Sequence, residues 1–173
     1  MISAIQFAQK KQGLANVETY IYSVIFITGN LVFPQICHLI PDGGKIFLPI
    51  FFFTLIAAYK YGPVTGLMTA ILSPTINFLL FGMPPAAMLP VILAKSILLA
   101  VAAAMIAQRT GKLSIATMAL VVLAYQLPGM LIEGIAHNSF FIATQDVRLG
   151  LPGILLQIIG GFILLKWLDK HGK

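Results

Sequence analysis

Long apolar runs broken by short clusters of Gly, Pro and charge recur along the whole chain. Taken in order they predict six membrane-spanning helices, at about Tyr20–Leu39, Ile46–Tyr61, Val64–Phe81, Met88–Gln108, Leu113–Ile135 and Leu149–Leu168. Crossing about 30 Å of hydrocarbon takes roughly 20 helical residues, so the second run is short and is expected to tilt or to borrow flanking residues. Helices are predicted over strands because a helix satisfies its own backbone in lipid. The runs also lack the apolar–polar alternation of a membrane barrel. Turn chemistry marks the breaks: Pro41-Asp42-Gly43-Gly44, Tyr61-Gly62-Pro63, Gly82-Met83-Pro84-Pro85 and Arg109-Thr110-Gly111-Lys112. The longest connection, Ala136 to Arg148, is too short to be a domain, and no internal repeat is visible. The expectation is an all-α integral membrane protein with residues 1–173 forming a single membrane domain.

Composition agrees with that pattern. Apolar residues make up 59% of the 173 and charged residues only 9%, where a soluble domain carries about a quarter. The net charge of +6 is spread in ones and twos beside the apolar runs, as topology signals are. A nucleic-acid surface would cluster its basic residues, so no nucleic-acid partner is expected. The single cysteine, Cys37, rules out a disulfide framework or a multi-cysteine metal site within one chain. Gln6, Gln9 and Gln12 with Lys10 and Lys11 interrupt the N-terminal region, so no cleavable leader is expected.

An even number of spans puts both termini on one side of the membrane. That side would carry Lys10, Lys11, Lys60, Arg109, Lys112, Lys166, Lys170 and Lys173, and the other only Lys45 and Arg148. The positive-inside rule then makes both termini cytoplasmic, in the cell membrane, with Tyr61 and Trp167 at the inner interface.

The candidate chemistry lies in polar residues inside apolar runs. Lys95 falls about seven residues into the fourth span, roughly 10 Å deep at 1.5 Å per residue. A charge at that depth costs a few kcal/mol and faces a cavity or a partner. Two readings stand side by side: Lys95 anchors an anionic substrate group, or it pairs with Glu133 and locks two helices. Gln126, Met130, Glu133 and His137 share one helix face by their spacing. Ser73 and Asn77 lie four apart around Pro74, which frees a backbone carbonyl. Gln35 and His38 sit beside the turn that holds Asp42. Lys95, Asn77, Glu133, Gln126, His38, His137 and Asp42 are therefore the candidate substrate-binding residues. Most map to the outer half, over an inner half that reads as almost wholly apolar, which suits a cup open to the outside. Each also has an ordinary reading as a helix–helix or interfacial contact. Gly66 with Ala70, and Ala100 with Ala104, are small-xxx-small pairs. They allow close internal packing or, for Gly66 and Ala70, docking of a partner.

The stretches Phe33-Pro34-Gln35-Ile36-Cys37-His38-Leu39-Ile40-Pro41, Phe47-Leu48-Pro49-Ile50, Leu72-Ser73-Pro74 and Gly82-Met83-Pro84-Pro85 resemble the substrate-binding S components of energy-coupling factor (ECF) vitamin transporters. The resemblance covers roughly residues 20 to 110, and the six-span layout extends it. It implies a six-helix bundle that binds a vitamin-like micronutrient near the outer face. It further implies docking onto a transmembrane T component coupled to two ATPase subunits, with a toppling motion that delivers cargo. The resemblance implies a binding subunit that is not an enzyme and needs no cofactor, and the chain carries no phosphate-cradling G-x-x-x-x-G-K-[ST] sequence with which to hydrolyse ATP itself. Many S components carry an A-x-x-x-A pattern in the first span. Here Ala4 and Ala8 have that spacing but precede the apolar run, while the span offers Ser23, Thr28 and Gly29. Two other readings stand: a self-sufficient carrier or channel, and an intramembrane enzyme with Glu133, His137 and His38 around a metal.

Overall fold

The protein is described by a computed structural model that covers residues 4–10, 13–139, 141 and 144–171. Lys11, Gln12 and Lys173, used in the sequence reading, lie outside the described residues. The elements are β1 (Ile5–Gln6), α1 (Val17–Cys37), α2 (Gly43–Phe47), α3 (Pro49–Tyr61, opening as a 3-10 turn), α4 (Pro63–Phe81), α5 (Leu89–Thr110), β2 (Lys112–Leu113), α6 (Ile115–His137), α7 (Gln145–Arg148) and α8 (Leu151–His171). Five of them, α1, α4, α5, α6 and α8, are long and apolar enough to cross a membrane.

Local chemistry sets the boundaries. Pro63 and Pro90 stand in the first turns of α4 and α5, where no backbone N–H is needed. Gly82 and Gly111 close those helices with φ of 65° and 56°, the left-handed cap that glycine adopts freely. Ser114 opens α6 with a capping box formed with Thr117.

The second expected span needs correction. Instead of one helix over 46–61, the chain makes the short α2, turns at Leu48 with φ 47°, and restarts at Pro49. The resulting α3 has 13 residues, a rise of roughly 20 Å, which is less than the hydrocarbon thickness. It tolerates that length because it is the central helix. Leu55, Ile56, Ala57, Ala58 and Tyr59 are all fully buried, and α1, α4, α5 and α8 pack around it. A helix apolar on every face belongs inside a bundle.

The surrounding helices are sorted the other way. On α6, Leu120, Leu123, Leu127, Leu131 and Ile135 are exposed, while Gln126 and Glu133 on the opposite face are buried. Apolar side chains outward and polar ones inward is the arrangement that lipid selects. The chain is thus a multi-pass, all-α membrane protein, apart from one two-residue ladder in which Ile5 pairs with Leu113 and Gln6 with Lys112. We call the end of the bundle that holds this ladder, the start of α1, the end of α8 and the α4 N-terminus the lower end.

Candidate functional site

At the upper end the helices diverge around a cavity of about 590 Å3, within the roughly 300–1,000 Å3 usual for small-molecule sites. Its walls come from Pro34 of α1, His38 just past its end, the segment Asp42–Phe51, Asn77 of α4, the Met83–Met88 turn, Lys95 of α5, Glu133 and His137 of α6, and Asp146 of α7. Six of the seven candidate residues therefore share one hollow. The seventh, Gln126, is buried but does not line it, and its amide atoms have no hydrogen-bond partner among the described residues.

Lys95 lies at the centre of the polar wall and is only 2% exposed. Its ammonium donates to Oε2 of Glu133 and, at 2.8 Å, to Oδ2 of Asp146. The geometry therefore contains the helix-locking pair and adds a second carboxylate from the connection that follows α6. Room for the lysine stem comes from Gly129. A Cβ there would sit 2.9 Å from Cγ and 3.0 Å from Cε of Lys95, so a side chain would push the stem away. Asp146 lies in the Ala136–Arg148 connection, and the sequence alone assigned it no chemistry. Its signal was scarcity: the chain has five acidic residues, and three of them, Asp42, Glu133 and Asp146, line the cavity.

Asn77 has a different occupation. Pro34 in α1 has no N–H, so the Asn30 carbonyl one turn earlier loses its helical donor. The Asn77 amide donates to that carbonyl at 2.8 Å, and its oxygen accepts from Gln35 at 3.4 Å. Asn30 itself is fully buried. Its side chain donates to Thr54 at 3.0 Å and Ser73 at 3.3 Å, and accepts from the Phe53 N–H at 3.2 Å in the first turn of α3. This network, centred on a residue the sequence reading passed over, ties α1, α3 and α4 beneath the cavity.

The mouth is set by exposed residues. Asp42 and Lys45 form an ion pair at 2.9 Å in a solvent-screened setting where such pairs contribute little. His38 is exposed at the rim, and Nε2 of His137 is buried without a hydrogen-bond partner among the described residues. The metal reading finds no geometry: Glu133 is engaged by Lys95, and among the described residues no group of three His, Cys, Asp or Glu side chains is placed to hold an ion.

Other expectations are corrected at the lower end and in the packing. The lower half is not wholly apolar. Lys60, counted as a topology signal, is inside α3 and 4% exposed, with its ammonium 2.6 Å from Asp169 and over the Phe7 ring. The N-terminal segment crosses the base as a strap. Phe7 N–H donates to Gly111 O at 2.9 Å, Lys10 N–H to Lys60 O at 2.8 Å, and the Gln9 amide to Ala58 O at 2.9 Å. Tyr61 is buried and stacks on Tyr22 with centroids 4.0 Å apart, so it is no interfacial anchor; Trp167 is exposed. Gly66 and Ala70, expected as a docking face, are buried within the chain. A Cβ on Gly66 would lie 2.5 Å from that of Ala58, so this small-residue stripe is occupied in joining α4 to α3.

Fold and site together define a class: a multi-pass α-helical membrane protein with a largely apolar cavity at one end that carries a cluster of charged side chains. No family model, curated protein or solved structure matches the chain.

Proposed function

We propose that this chain is the substrate-capturing subunit, the S component, of an ECF-type importer. In this reading the cavity faces outward and takes a vitamin-like micronutrient. Both termini are cytoplasmic in the cell membrane, and a transmembrane T component with two ATPase subunits supplies the energy. The supporting observation is the hollow at the upper end, where polar side chains from α4, α5, α6 and the connecting segments converge. The reading also draws on the motif resemblance at Phe33–Pro41 and Gly82–Pro85. The alternative is a self-sufficient carrier or channel; against an open channel stand the strap of residues 5–10 and the Lys60–Asp169 pair across the lower end.

The test is twofold. Protein extracted in mild detergent is analysed by mass spectrometry for a bound small molecule. Uptake of that molecule is then measured in cells with and without an ECF energising module. Stoichiometric cargo and uptake that needs the ATPases are expected. Uptake by the chain alone would favour the carrier alternative, and the absence of any bound or transported molecule would reject capture.

A further inference from the structure

We propose that the cavity is built for an organic cation: a molecule with an amine or amidine head and an apolar body. This rests on the capture reading and opposes the expectation that Lys95 anchors an anion.

The charged residues of the wall are two lysines and three carboxylates, Lys45 and Lys95 against Asp42, Glu133 and Asp146, a formal net of one negative charge. Asp42 and Lys45 satisfy each other at the mouth. The excess therefore resides in the deep trio. There Lys95 is bracketed: it donates to one oxygen of Glu133 and one of Asp146. Each carboxylate has a second oxygen that Lys95 does not engage, and the buried Nε2 of His137 has no hydrogen-bond partner among the described residues. Arg148, two residues from Asp146, is drawn away over the Phe141 ring at 3.9 Å and is not part of the wall.

An anionic guest would meet a lysine already committed to two carboxylates. To reach it, the guest would have to displace Glu133 or Asp146 and leave that carboxylate buried without a partner, a costly arrangement. A cationic guest supplies the missing positive charge and N–H donors for the oxygens that Lys95 does not engage. It does so in a recess where Coulomb interactions are stronger than in water. The remaining wall, with Leu48, Phe51, Met88, Val91 and Ile92, suits an apolar body.

Three matched probes separate the possibilities: naphthylmethylamine, naphthylmethanol and naphthoate, titrated near pH 7 into the full chain in lipid nanodiscs by calorimetry. The amine should bind at least tenfold more tightly than the carboxylate. Asp146→Asn keeps an acceptor for Lys95 but removes the excess charge. It should weaken the amine at least tenfold and leave the alcohol within about twofold. Glu133→Gln should act in the same direction, which guards against one variant failing to fold. Equal or tighter binding of naphthoate, an Asp146→Asn variant with unchanged selectivity, or no binding of any probe overturns the cation assignment. An anionic molecule that co-purifies and is taken up with ATPases would overturn it while leaving the capture function standing. Loss of both would be marked by the absence of any cargo.

Discussion

The hydrogen bond from Asn77 to the Asn30 carbonyl exists because Pro34 cannot make it, and this compensation can be measured. In Asn77→Ala the carbonyl of a fully buried residue loses its donor, in a bundle where hydrocarbon offers no replacement. An orphaned buried acceptor costs about 1–3 kcal/mol, although interhelical hydrogen bonds in membranes average nearer 0.6 kcal/mol. Asn77→Ala should therefore destabilise by about 1–3 kcal/mol, including the 3.4 Å contact with Gln35. Pro34→Ala restores an N–H within reach of the same carbonyl. In that background the cost of Asn77→Ala should fall by about 1 kcal/mol. The four proteins of this cycle are compared by reversible unfolding in mixed micelles. Independent sites add to within roughly 0.3–0.5 kcal/mol. A coupling no larger than that scatter would refute the compensation and reduce Asn77 to a generic packing contact.

At the lower end, the Lys60–Asp169 pair should respond asymmetrically, because Lys60 is 5% exposed and Asp169 29% by side chain. Asp169→Asn strands the buried ammonium and should cost about 3–5 kcal/mol, whereas Lys60→Met leaves a carboxylate that water can reach and should cost clearly less; equal losses in micelle unfolding would contradict the burial argument. In the core, Gly66→Ala should destabilise by about 1–3 kcal/mol through overpacking, and Ala58→Gly should recover part of it by removing the Cβ that lies 2.5 Å away. No recovery in thermal melts would show that the strain lies elsewhere.

Much of this molecule was legible because lipid imposes one simple rule on the helices it touches. The five long spans were found to within a few residues, since each keeps a continuous apolar face outward. The central helix obeys another rule. Shielded by protein on all sides, α3 is freed from the length requirement, and its apolar run looks the same in sequence as a span does. Pro49 and the brevity of the run were the only marks of difference. The cavity was legible as a set of polar residues at matching depth, but their assignments were not. Pairing of Lys95 with Glu133 was one of two readings that the sequence left open. Asp146 joined them only because the connection after α6 folds back, a tertiary event that periodicity does not encode. Lys60 illustrates the opposite error: a charge near a turn reads as exposed, yet this one is buried because Asp169, more than a hundred residues away, comes back to meet it.

The distribution of buried polar contacts bears on how such a protein could deliver cargo. A passage through the bundle would require α1, α3 and α4 to separate, which breaks the four hydrogen bonds of Asn30. It would also open the Lys60–Asp169 pair and release the strap. Breaking a single buried ion pair already costs about 3–5 kcal/mol, a large share of the roughly 5–15 kcal/mol that holds a domain folded. Tilting the whole body breaks none of these contacts. It instead moves the lipid-facing side chains relative to the bilayer, including the exposed apolar ridge of α6 and Trp167 on α8. On the proposed reading, internal bonding of this kind makes rigid reorientation against a partner the cheaper route. It also explains why the energy for transport would be applied from outside the chain.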